Sequence, residues 1–157
     1  MASTPKHSHG ADEVYEAVDA VLATGVLVIP STTATTNPGL QGVKVATDEA
    51  LNVLGVSASS AVPVANQTTT GNDSDGYPYV APDMVNELVT VYSACVINVT
   101  YTAVAVAYGA KLCAAANGAV RAWVSGTDSP AAIVGTCRVP GGMSSAGGTG
   151  LAKINLS

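Results

Sequence analysis

The sequence contains no phenylalanine and one tryptophan, and only 11% of its residues are charged, against roughly 25% in an average domain. A core without phenylalanine must be assembled from small side chains, and the abundant valine among them favours pleated sheet over helix. With six Lys and Arg in 157 residues and a formal net charge of -5, the chain lacks the clustered positive charge that a nucleic-acid phosphate footprint requires. Histidine is confined to His7 and His9, so a histidine-based catalytic triad is not expected. The three cysteines, Cys95, Cys113 and Cys137, are odd in number and include no C-x-x-C pair. Neither a zinc site nor a full disulfide framework is signalled, and buried free thiols are the expectation. The first ten residues, MASTPKHSHG, show no charged-then-apolar leader pattern. Assembly in a reducing cytoplasm is therefore expected, and the N-x-S/T matches at Asn66, Asn72, Asn98 and Asn155 have no secretory context.

What the sequence does have is 48% hydrophobic residues cut into short runs by Gly, Pro and polar turns. The length suits one domain. Residues 1–11 read as a flexible N-terminal arm and residues 12–157 as a single β-rich domain with a long loop at about 59–84. Residues 12–23 combine helical spacing of Val14, Val18, Val21 and Leu22 with valine-rich content, which leaves a short helix or an extended entry open. Strands are predicted at 26–29, stopped by Pro30, at 43–46, 52–57, 112–114, 119–124, 133–139 and 151–156. Residues 88–110 carry no charge and are long enough to cross a bilayer as a helix. Yet Val89, Val91, Cys95, Ile97, Val99 and Tyr101 share one face of a period-two pattern, with Thr90, Tyr92, Asn98 and Thr100 on the other, so a strand or hairpin is expected there and no membrane span. Many short strands imply an all-β barrel or sandwich.

An internal repeat at an offset of about 80 residues supports two related β-units. Ala23-Thr24-Gly25 corresponds to Ala107-Tyr108-Gly109, each leading into a strand. Gly42-Val43-Lys44-Val45-Ala46 corresponds to Gly118-Ala119-Val120-Arg121-Ala122, each followed by Thr-Asp. Val53-Leu54-Gly55-Val56 corresponds to Ile133-Val134-Gly135-Thr136. Glycine inside a strand marks a bulge, a bend or close backbone approach, so Gly55 and Gly135 are predicted to occupy equivalent bends.

Constellations that carry chemistry are scarce. His7 and His9 in the arm offer weak metal ligation and read better as solvated. Asp73, Asp75 and Gly76 alternate oxygens as a calcium loop does, with Glu87 near the end position, but a solvated loop with Asx turns explains them. Asp12-Glu13 and Asp48-Glu49 read as surface charge. The glycines at 141–142 and 147–150 lack the lysine and hydroxyl of a phosphate loop. Trp123 reads as a core residue, Tyr77 and Tyr79 as contact residues. No catalytic residue, cofactor or metal is expected.

The order of these stretches, with LNVLGVSA at 51–58, INVTYTAVAVAYGAKLCAAAN at 97–117 and IVGTCRVPGG at 133–142, resembles the head decoration or capsid cement proteins of tailed phages. That resemblance implies a non-enzymatic virion protein on the capsid exterior, bound to a major capsid protein of the HK97-like fold, self-associating as a homotrimer and clamping neighbouring subunits, with no nucleic-acid or membrane partner. The contrast between an apolar body and two polar, Pro-containing excursions then puts capsid or subunit contacts on Thr4, Pro5, Lys6 and His7 of the arm and on Tyr77 and Tyr79 of the long loop. The alternative reading is a β-sandwich adhesion or glycan-binding module displayed on a virion or cell surface.

Overall fold

The computed structural model describes residues 12–64, 70–72, 75, 78–80 and 87–156, and the arm residues Thr4, Pro5, Lys6 and His7, together with Tyr77, lie outside them. Among the described residues twelve strands run in order: β1 (Asp12–Ala17), β2 (Leu27–Pro30), β3 (Gly42–Val45), β4 (Gly55–Ser57), β5 (Thr70–Asn72), β6 (Pro78–Val80), β7 (Leu88–Tyr92), β8 (Ala94–Tyr101), β9 (Lys111–Ala114), β10 (Val120–Ala122), β11 (Ile133–Cys137) and β12 (Gly148–Asn155). Ten of them close into two five-stranded barrels, β1-β3-β2-β4-β7 and β10-β8-β12-β11-β9, while β5 and β6 form a two-stranded sheet. The ambiguous residues after the arm are thus extended, with β1 antiparallel to β7 and parallel to β3. Within the long loop expected at about 59–84 lie β5 and β6, which pair with each other.

The two barrels are one pattern written twice. In each, the first strand pairs in parallel with the third (β1 with β3, β8 with β10) and every other pairing is antiparallel. The register repeats as well: Val28 faces Gly55 as Leu112 faces Gly135, and Val56 faces Tyr92 as Thr136 faces Lys153. Outside the strands, the bridge between Leu22 and Ala61 recurs between Val106 and Met143. The Gly25 N–H donates to Ser57 O at 2.8 Å and the Gly109 N–H to Cys137 O at 2.9 Å. One correspondence read from the sequence shifts by a residue. Because Ile29 faces Lys44 and Cys113 faces Arg121, Lys44 is the counterpart of Arg121 and Val43 of Val120; the pleat fixes this alignment, since a one-residue slip turns every side chain to the other face.

Gly55 and Gly135 do occupy equivalent places, and the reason is proximity of backbones. A Cβ on Gly55 would sit 2.4 Å from Tyr92 O, and one on Gly135 would sit 2.1 Å from Lys153 O, the matching carbonyls of the matching strands. At Gly135 the register against β9 also slips, between Ile133 and Gly135, which is the bulge that strand glycines mark. Barrel interiors are filled at matched positions with different volumes. Tyr101 stands in the second barrel where Ala17 stands in the first, and Gly150 stands where the first has Val89: a Cβ there would lie 2.5 Å from Val139 Cγ2 and 2.7 Å from Met143 Cε.

The chain passes from one barrel to the next at Ser93, so the charge-free segment 88–110 is neither a hairpin nor a helix: β7 closes the first barrel and β8 opens the second. Alternation along β2 explains why it is apolar throughout. Val28 points into the first barrel with Leu22, Val43, Val89 and Val91. Its neighbours Leu27 and Ile29 join Val56 and Tyr92 in one buried cluster with Leu112, Val120, Val134 and Ile154 of the second barrel. A strand buried on both faces needs apolar residues at every position.

If backbone approach is what selects glycine, Gly55→Ala and Gly135→Ala should each destabilise the protein by about 2–3 kcal/mol in urea unfolding. Gly126→Ala, whose Cβ would meet open space at φ +83°, should cost only about 1–2 kcal/mol of backbone strain. Equal costs at all three positions would contradict the proximity argument.

Candidate functional site

Most of the acidic chemistry among the described residues is committed to holding loops and barrels together. Glu16, on β1, is 2% exposed. Burial pushes its carboxyl up, but four hydrogen bonds outweigh that and leave it lowered: Thr36 N and Oγ1 donate to Oε1 at 2.7 and 2.9 Å, and Asn37 N and Nδ2 donate to Oε2 at 2.8 and 2.9 Å. Asn37 Nδ2 reaches Glu87 Oε1 at 3.3 Å as well, so Glu87 belongs to this loop clamp. Asp19 accepts from the hydroxyls of Ser31 and Thr33, which, with Lys44 nearby, lower its pKa.

Arg121, the counterpart of Lys44, ties the two barrels. Its guanidinium forms a bidentate pair with Asp128 at 2.7 and 2.9 Å and reaches across to Asp48 at 3.1 Å and Glu49 at 3.0 Å, both in the loop after β3. Asp48 and Glu49 are exposed, as surface charge should be, yet they are paired. The Arg121 hydrogen bonds, with a 2.7 Å donation from Val124 N, hold the buried Asp128 carboxyl well below the usual carboxylate range. Cys113 lies against this cluster, 3.8 Å from Asp128 Oδ2; burial raises its thiol to about 11. Cys95, Cys113 and Cys137 are all buried and unbridged.

No group of three or more His, Cys, Asp or Glu side chains forms a metal-binding set among the described residues, and no helix there is long and apolar enough to cross a membrane. Tyr79 lies in β6, opposite Gly71. Trp123 is not a core residue: it is half-buried, its Nε1 donating to Ser129 O at 3.0 Å and its ring lying under Lys111 Nζ at 5.4 Å.

That pair belongs to a surface that sequence reading missed, the outer face of β9, β11 and β12. Thr136 in β11 faces Lys111 in β9 on one side and Lys153 in β12 on the other, which puts two ammonium stems about 10 Å apart across the sheet. Arg138 follows Thr136 by two residues and so shares its face; its guanidinium lies 5.8 Å from the Tyr108 ring centroid and donates to Tyr108 OH at 3.2 Å. Arg138, Lys153 and Asn155 border an open recess of about 470 Å³. The signal available in the sequence was the distribution of charge: ten of the eleven Asp and Glu residues precede β8, whereas four of the six basic residues follow it.

No family model matches the chain, and no curated protein matches it. Among solved structures, the N base of the head fibre gp8.5 of bacteriophage phi29 superposes with a TM-score of 0.50 at 14% identity, over 94% of this chain and 98% of that one. The chain shares its fold. The alignment runs over nearly the whole of both chains, so the likeness covers both barrels together.

Two outcomes check the site chemistry. Because the folded pKa of Asp128 is depressed below its unfolded value of about 3.9, its pairing stabilises the protein fully above that pH and progressively less as pH falls below it. The melting temperature of Asp128→Asn should therefore lie below that of the parent at pH 7, and the gap should close as pH falls from about 5 to 2; a gap independent of pH would contradict the assignment. Thiol titration without reductant should find Cys95, Cys113 and Cys137 unreactive in the native protein and all three reactive after denaturation.

Proposed function

We propose that this chain is a structural protein of a phage virion that binds the exterior of the head, contacts a major capsid protein of the HK97-like fold and, as a trimer, stabilises the shell by bridging neighbouring subunits. The observation that carries the reading is the tandem-barrel fold shared along nearly its whole length with the N base of a phage head fibre. The sequence resemblance to head decoration proteins points the same way. The physical character of the molecule fits such a task. Its buried carboxylates serve as clamps for loops and barrels, and affinity for a shell comes from surface area and repeated attachment, with no need of a reactive pocket.

The experiment is addition of the purified chain to shells that lack it, followed by electron cryomicroscopy. Extra density on the outer surface, repeated at threefold and quasi-threefold positions, is the expected result, together with slower heat disruption of decorated shells. Bare shells under saturating protein, with binding to isolated glycans instead, would replace this reading with that of an adhesion module.

A further inference from the structure

Building on the virion reading, we infer that the outer face of β9, β11 and β12, centred on Lys111, Arg138 and Lys153, is the surface that docks on the shell, and that its occupant there is a carboxylate-rich patch of capsid protein. Every ion pair within ionic contact distance among the described residues involves Arg121. Lys111, Arg138 and Lys153 thus converge on one face with aromatic rings beside two of them and no carboxylate of a described residue in ionic contact with them. Their neighbours are those of a protein interface. Lys153 is flanked by Leu151, two residues back on the same face, and by Val96, its partner across β8, each 40% exposed. Tyr108, beside Arg138, is 57% exposed. Apolar side chains set among Arg and Tyr are the composition of interface anchors, whereas three cations are too few for a nucleic-acid footprint.

Charge complementarity selects the partner and its orientation. The half of the chain before β8 holds ten carboxylates and two basic residues, and the half after it holds one carboxylate and four basic residues. An acidic shell surface attracts the second barrel and repels the first, so encounter is steered toward docking through β9, β11 and β12. The two aromatic rings hold the Lys111 and Arg138 side chains in place before contact, which lowers the entropy cost of ordering them.

The test measures shell affinity of the full chain at about 50 and about 300 mM salt, where screening lengths differ more than twofold. It compares the parent with a Lys111→Gln, Arg138→Gln, Lys153→Gln triple variant and with Lys44→Gln in the first barrel as control. The triple variant should lose at least about tenfold in affinity at low salt and most of the salt dependence, with Lys44→Gln unchanged. If the triple variant is misfolded by circular dichroism, the single variants Lys111→Gln and Lys153→Gln, at exposed positions, should each lose about threefold. Unchanged affinity and salt dependence in the folded variants would overturn the docking face while leaving the virion reading intact. Light scattering on the same variants covers the other occupant: loss of self-association with shell affinity retained would give the face to a second copy and overturn the inference. A parent protein that binds no shell would remove the virion reading and this inference with it.

Discussion

Everything in this molecule follows from closing a sheet of only five strands around an interior too narrow for large side chains. Where β4 meets β7 and β11 meets β12, the backbones approach so closely that even a methyl group would collide with a carbonyl oxygen, 2.4 Å away at Gly55 and 2.1 Å at Gly135. The composition is the chemical image of that constraint. A chain with no phenylalanine can fill two such barrels with Ala, Val and Leu. Tyr101, a large ring buried in the second barrel, donates its hydroxyl to Leu151 O at 2.8 Å, as a buried phenol requires.

Duplication solves a second problem, the small size of each unit. A five-stranded barrel of some 75 residues buries too little surface to be very stable alone, and here the outward residues of β2 and β4 are buried again. Leu27, Ile29 and Val56 point out of the first barrel and join one buried cluster with the core residues of the second. The polar seam beside that core is Arg121, which binds Asp128 within its own barrel and Asp48 and Glu49 of the other. Asp48 and Asp128, the two Thr-Asp positions of the repeat, thus end on one guanidinium.

Much of this was legible in the sequence, and the limits have physical causes. The repeat, the all-β class, the buried thiols and the paired roles of Gly55 and Gly135 were readable because each leaves a local mark: a period of two, a glycine within an apolar run, an isolated cysteine. The correspondence of Lys44 with Arg121 was missed by one residue because Val and Ala on either side fit both registers, and only the pleat decides between them. Trp123 was misplaced because size and apolarity suggest burial, whereas its indole N–H and a cation over its ring suit the surface. The face of Lys111, Arg138 and Lys153 could not be read as a unit, because strands distant in sequence place them side by side. The contact residues proposed on the arm, Thr4, Pro5, Lys6 and His7, and Tyr77 of the long loop lie outside the described residues.

A docking face built on one barrel can resist force on the whole molecule only if both barrels act as one body. The shared core and the Arg121 seam make that the central claim. Differential scanning calorimetry tests it most directly, through the ratio of calorimetric to van't Hoff enthalpy. The account predicts a single transition with a ratio near one. Two resolved transitions, or a ratio approaching two, would show barrels that unfold independently and would contradict it.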